Sequence, residues 1–216
     1  MIGASPPRKE DMRLLAGAGR FVDDLQRDGM LFLGVVRSLH AHARIVKIAT
    51  ADAASAPGVV AVWTAADLPE AARPVLTFTS GAHRDRPFTV PLLARDRVRY
   101  VGEPVAVVVA ESPALLADAM EAVTVEYEPL PPLPTAEAAL ASDTRLHDGW
   151  PDNRALEVRG AVGDAARGMA EADVVVEGRF RHPRLAATPI ETRGALAYRD
   201  GDGGALTVWA SIQNPY

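Results

Sequence analysis

Residues 99–132 read RYVGEPVAVVVAESPALLADAMEAVTVEYEPLPP, a strand, a helix and a strand joined with almost no spacer. Val105 to Ala110 is an unbroken apolar, largely β-branched run, the pattern of a strand covered on both faces, which belongs in the middle of a sheet. Ser112-Pro113 is a helix start, because a serine hydroxyl caps an orphan N–H and proline fits the first helical position, where its missing donor costs nothing. Leu115, Leu116, Ala119, Met120 and Val123 then give one apolar stripe. Thr124 to Tyr127 returns to alternation, with Val125 and Tyr127 on one side, and Pro129, Pro131, Pro132 and Pro134 stop it. Elements so closely joined favour a right-handed parallel crossover, with an antiparallel arrangement left open.

The 216 residues carry material for one large or two modest domains, and the proline cluster favours two. A net charge of -5, with no aromatic-backed basic cluster, argues against nucleic acid as a partner. With no cysteine the chain supplies neither disulfides nor thiolate ligands. Its apolar runs are too short to span a membrane and the N-terminus lacks a signal-peptide core, so the expected location is cytoplasmic.

Before this stretch, strands are predicted over Met30 to Arg37, Lys47 to Thr50 and Val59 to Trp63, with a helical turn at Asp52 to Ala56. Thr64-Ala-Ala-Asp67 resembles another capped helix start. Beyond it, Thr135 to Leu140 and Asp164 to Glu171 are short helices, Ser142 to Asn153 is loop, and Val174 to Arg181 alternates as a strand. Ala195 to Tyr198 and Leu206 to Ser211 form a hairpin across a glycine-rich turn.

Several residues suggest chemistry, each with a structural alternative. Gly17 and Gly19 lack the strand and helix that a phosphate loop requires, and read as turn glycines. Asp23 and Asp24 are too few oxygen donors for a hard cation. His40 and His42, two apart, would share a face of a strand and could hold a metal, but no third ligand is nearby, so they read as structural histidines. His83 to Arg86 is a solvated charged loop or an anion grip. Glu191 and Arg193 read as an ion pair, or as an acid poised by burial. A hydrolase using Glu103 or Glu191 with a histidine has no nucleophile motif behind it. The sequence stops at Tyr216 as a strand runs into a loop, which resembles a chain cut short or one completed by another polypeptide, and residues 140–216 are not expected to fold alone.

Six segments taken together, LAGAGRFVDD (Leu15–Asp24), RSLHAHARI (Arg37–Ile45), PGVVAV (Pro57–Val62), RYVGEPVA (Arg99–Ala106), VEYEPLP (Val125–Pro131) and IETRG (Ile190–Gly194), resemble the large molybdopterin-binding subunit of the molybdenum hydroxylases. That family comprises xanthine dehydrogenases, aldehyde oxidases and aerobic carbon monoxide dehydrogenases. Leu39 stands where the family commonly has proline, a change to a turn rather than to chemistry.

The resemblance implies an α/β fold of mixed α+β type: a lead-in over residues 1–19, an a/b hammerhead domain over 20–131, and the incomplete start of a molybdopterin-binding domain over 132–216. It implies a molybdenum-molybdopterin cofactor shared with a downstream part, the metal held by pterin sulfur rather than cysteine. Iron-sulfur and FAD centres belong to partner domains or subunits. Gln213 matches a family glutamine that approaches the metal's oxo ligand, where a neutral amide stabilises charge on oxygen; alternatively it ties a strand end to backbone. No protein side chain here is implied as a metal ligand or catalytic residue, because the family's glutamate base lies downstream. The implied function is the N-terminal part of a hydroxylase acting on an aldehyde, an N-heterocycle or a similar small substrate, inactive alone. The alternative is a non-catalytic hammerhead scaffold or partner-binding protein.

Overall fold

A computed structural model describes residues 2–69, 91–155, 160–201 and 203–212. The stretch His83 to Arg86 lies outside the described residues, as does Gln213. In chain order the elements are α1 (Asp11–Leu15), a 3-10 turn (Val22–Asp24), β1 (Phe32–Arg37), β2 (Ala43–Ala49), α2 (Ala51–Ala54), β3 (Val59–Thr64), β4 (Arg97–Val98) and β5 (Pro104–Ala110). These are followed by α3 (Pro113–Glu121), β6 (Thr124–Pro129), α4 (Ala136–Ala141), α5 (Ala165–Ala170), β7 (Ala195–Arg199) and β8 (Leu206–Ala210). They divide into two compact units, Leu31–Val175 and the pair of segments Met1–Met30 and Val176–Tyr216.

In the first unit, β5 is the central strand of a sheet ordered β1-β5-β3, antiparallel to both neighbours. The apolar run at Val105 to Ala110 requires that position, and Val105, Ala106, Val108 and Ala110 are wholly buried. Helix α3 begins where expected: Ser112 Oγ accepts the Leu115 N–H at 3.3 Å and Pro113 opens the first turn. Its stripe lies on the sheet, where Ala119 and Val123 meet Ala106, Val108 and Ala53, with Leu116, Met120, Val36 and Val62 packed around them. The helix approaches β1 so closely that a Cβ at Gly34 would stand 2.2 Å from Met120 Sδ.

A second sheet is ordered β4-β2-β6, again antiparallel. Its buried residues Ala43, Ala94 and Val98 meet Val105, and Ile45, Val125 and Tyr127 pack against them. Val36 and Val125 touch both groups, so the core is continuous across the two sheets.

Three sequence expectations are corrected. The crossover from β5 through α3 to β6 is not parallel: β1 and β3 occupy both edges of β5, so the helix carries the chain into the other sheet, where β6 pairs with β2. Thr64 to Asp67 makes its capping contacts, with Thr64 N–H and Oγ1 both donating to Asp67 Oδ2 at 2.8 Å, yet it remains a turn. Leu68 precedes Pro69, whose ring disfavours helical backbone before it. Val174 to Arg181 carries the alternation of a strand but joins no ladder among the described residues, and Val174, Val176 and Phe180 are exposed. Alternation marks a face, and a face without a layer to cover it does not make a sheet.

The second unit contains α1, the 3-10 turn and the β7–β8 hairpin, paired from Ala195↔Ala210 to Arg199↔Leu206 as its alternating residues and glycine-rich turn require.

Candidate functional site

Two of the segments singled out in the sequence, Phe21–Asp24 and Ile190–Gly194, come together within the second unit although they are 169 residues apart. The first folds on itself, the Phe21 N–H donating to Asp24 Oδ2 at 2.8 Å, while the turn's own backbone bonds, Asp24 to Phe21 and Leu25 to Val22, leave the Val22 N–H unused. Glu191 Oε1 accepts that N–H at 3.1 Å. Thr192 Oγ1 donates to Asp23 Oδ2 at 3.3 Å. Gly194 follows in close contact: a Cβ there would lie 3.3 Å from Val22 Cγ1 and 3.4 Å from Asp23 Oδ1.

The hairpin departs from this joint. Ser211, just past the end of β8, donates its N–H to the Gly194 carbonyl at 3.0 Å. The Arg27 guanidinium lies 3.5 Å from the centre of the Tyr198 ring, a cation-π contact on β7. A cleft of about 260 Å³ beside the joint is lined by Arg20, Phe21, Val22, Leu25, Glu191 and Trp209. The ion pair expected between Glu191 and Arg193 is not formed; the carboxylate holds a backbone N–H instead. A carboxylate accepting an N–H that the turn leaves unpaired is a charge-assisted bond, stronger than an exposed ion pair.

The remaining candidates lie in the first unit. His42 is buried, and its Nδ1–H donates to the Pro131 carbonyl at 2.8 Å, which fixes the tautomer. His40 lies against Tyr127, ring centres 4.8 Å apart. Both precede β2 rather than sharing a strand face, and among the described residues no group of three His, Cys, Asp or Glu could hold a metal. The structural reading of these histidines is the one the contacts support.

Glu103 is buried beside them. Its Oε2 accepts the Arg99 N–H at 2.5 Å, and its backbone carbonyl accepts the Ser38 N–H at 2.9 Å. Burial pushes its carboxyl pKa up, opposed by the Arg99 hydrogen bond and charge. Burial also raises the Tyr127 phenol, with Glu103 adding to the effect. No recorded hydrogen bond joins Glu103 or Glu191 to a histidine among the described residues, so the hydrolase constellation is not assembled.

Sequence reading missed the clasp on residues 142–153. Arg97 pairs both terminal nitrogens with Asp148 at 3.2 and 3.1 Å, and Arg99 Nε donates to the Leu146 carbonyl at 2.7 Å. Asn153 closes the loop, donating to the Ala139 and Thr144 carbonyls and accepting the Leu146 N–H. Its only sequence signal is a polar loop of ordinary composition.

Residues 16–131 match the family model described as aldehyde oxidase and xanthine dehydrogenase, a/b hammerhead domain, and residues 146–216 match the molybdopterin cofactor-binding domain. The chain is 39% identical over 216 residues to the nicotine 6-hydroxylase large subunit of Paenarthrobacter nicotinovorans, covering all of this chain and 26% of that one. It is 35% identical over 229 residues to the carbon monoxide dehydrogenase large chain of Afipia carboxidovorans, covering 28% of it. Among solved structures, quinoline 2-oxidoreductase from Pseudomonas putida 86 superposes with a TM-score of 0.85 at 40% identity, over 99% of this chain and 27% of that one. The chain therefore spans about a quarter of the length of these relatives. It belongs to the aldehyde oxidase and xanthine dehydrogenase family, and it matches the molybdopterin-binding large subunits of its molybdenum hydroxylases in their hammerhead domain and in part of their cofactor-binding domain.

Proposed function

We propose that this chain serves as the N-terminal part of a molybdenum hydroxylase large subunit that oxidises an aldehyde, an N-heterocycle or a similar small substrate. The observation that carries the reading is the succession of hammerhead and cofactor-binding matches along one chain. The names of the nicotine 6-hydroxylase and quinoline oxidoreductase relatives favour the N-heterocycle. In this reading residues 20–131 are the hammerhead domain, residues 132–216 begin the molybdopterin-binding domain, and the protein works in the cytoplasm.

The donor set fits a metal that brings its own sulfur ligands. There is no cysteine, and the candidate toward the cofactor, Gln213, is a neutral amide, able to donate to an oxygen rather than to bind the metal. When bound, molybdenum-molybdopterin supplies the oxidising equivalents. In this reading Gln213 would offer an amide dipole, and proton removal would require a base outside these residues. Iron-sulfur and flavin subunits are the partners in this reading and carry electrons away.

The test is to tag the chain in its native cells, purify it, and measure molybdenum and associated polypeptides. Molybdenum with a longer large-subunit portion and iron-sulfur and flavin partners is expected. A metal-free chain without partners would sink the catalytic reading in favour of a hammerhead scaffold.

A further inference from the structure

We propose that residues 142–153 form an acid-released strap, in which protonation of His147 frees the loop from Arg97 and Arg99. The strap lies inside the unit Leu31–Val175. It ties Leu146 and Asp148, at the start of the cofactor-binding match, to two arginines of the hammerhead match.

The hold consists of the two guanidiniums on one side and the loop on the other. Arg97 grips the Asp148 carboxylate with both terminal nitrogens and reaches the Arg145 carbonyl at 3.4 Å, while Arg99 Nε donates to the Leu146 carbonyl at 2.7 Å. His147 stands between the two gripped residues, half-buried. Its ring stacks on Trp150, centres 4.5 Å apart and planes inclined by 29°, and the Trp150 N–H donates back to the His147 carbonyl at 3.2 Å.

The charged groups acting on the His147 ring are Arg99, Asp148 and Arg97, two positive against one negative. Burial and then Arg99 hold the imidazole pKa below its ordinary 6.5, with Arg97 adding to this and Asp148 opposing it. Arg97 Nε is buried without a hydrogen-bond partner among the described residues, so this corner already lacks an acceptor for the positive charge it holds. The groups that favour an imidazolium travel with the loop, since Asp148 is the next residue and Trp150 offers the ring face. Those that oppose it, Arg97 and Arg99, stay behind on the β4 side. A proton on His147 therefore favours the released loop, by the difference between the two sets. The advantage of the held loop is complete above the ordinary value of 6.5 and falls as pH drops from there through the lower folded value. Glu103, which accepts the Arg99 backbone N–H and has a raised pKa, is the competing trigger on acidification.

The test follows the Arg99 Nε–H by NMR in the full chain at about pH 8 and about pH 5, on either side of the histidine range. Its solvent exchange is taken relative to exposed arginines of the same chain. Acidification is expected to speed that relative exchange by about threefold or more, with the same midpoint as the His147 ring resonances. His147→Phe keeps a ring for Trp150 but takes no proton, and is expected to leave the exchange unchanged across the range. His147→Gln, neutral and polar, is read in the same way where the phenylalanine variant does not fold. Glu103→Gln, which keeps an acceptor for the Arg99 N–H, is expected to retain the acid response.

An Arg99 Nε–H equally protected at both pH values in the parent chain would overturn the release. An acid response that survives in the neutral His147 variant would overturn His147 as the trigger, and one abolished by Glu103→Gln would overturn it in favour of that carboxyl.

Discussion

Gly34→Ala tests how closely α3 is set on the sheet. The new Cβ would stand 2.2 Å from Met120 Sδ and 3.1 Å from Leu116 Cδ1, well inside contact distance. Met120 is a flexible side chain and can swing aside, but Leu116 lies on the same side of the glycine, so the space does not open without a shift of the helix. Overpacking of this kind costs about 1–3 kcal/mol. Replacing glycine within a strand returns about 0.5–1 kcal/mol through the unfolded chain. The net is a destabilisation of about 1–2 kcal/mol, which at a urea m-value of about 2 kcal/mol/M lowers the midpoint by about 0.5–1 M. Urea titration of the chain followed by tryptophan fluorescence, with Trp63 on β3 as a reporter in the same sheet, measures it. Met120→Ala, destabilising by itself, is expected to cost less in this background than in the parent, because truncating Met120 makes room for the new methyl. A Gly34→Ala chain as stable as the parent, or a double variant no better than the sum of the singles, would refute the close approach as the reason for glycine.

Two further predictions follow from hydrogen bonds. Ser112→Ala removes the oxygen that accepts the Leu115 N–H and is expected to cost about 1 kcal/mol, whereas Ser112→Asp, an equally good cap, should cost little; equal losses in the two variants would refute the cap. Glu103 has a folded pKa above its ordinary value of 4.5, so the folded chain binds its proton more tightly than the unfolded one. Its contribution to stability is fully present below that value and is lost as pH rises through the folded pKa. Glu103→Gln keeps an acceptor for the Arg99 N–H and is expected to flatten the stability profile from pH 4.5 upward; an unchanged slope in thermal melts across that range would count against burial as the cause.

What could be read in advance was what neighbours in sequence decide. The Ser112 cap, the stripe on α3, the burial of β5 and the β7–β8 hairpin each depend on residues a few positions apart, and each is found. The partners of β5 depend on which strands reach its edges first, a question that Val105 to Ala110 cannot answer, and the parallel crossover failed there. The alternation of Val174 to Arg181 is equally real, but it says nothing about whether a partner strand is at hand. Glu191 was visible as a candidate while its true partner was not, because a backbone N–H 169 residues away leaves no trace in local composition. Arg97, Arg99 and Asn153 were missed for the same reason: their partners, the Asp148 carboxylate and backbone groups of residues 139–146, form no recognisable pattern in the sequence.

The bond between Val22 and Glu191 also orders events during synthesis. At about 5–20 residues per second, the ribosome needs about 8 to 34 s to pass from one of these positions to the other. During that interval the strands and helix of Leu31–Val175 become available to one another, while the turn at Val22 has only water to accept its N–H. The turn at Val22 is thus made well before the carboxylate that secures it, and a chaperone that shields it during that interval would serve this chain better than one acting later.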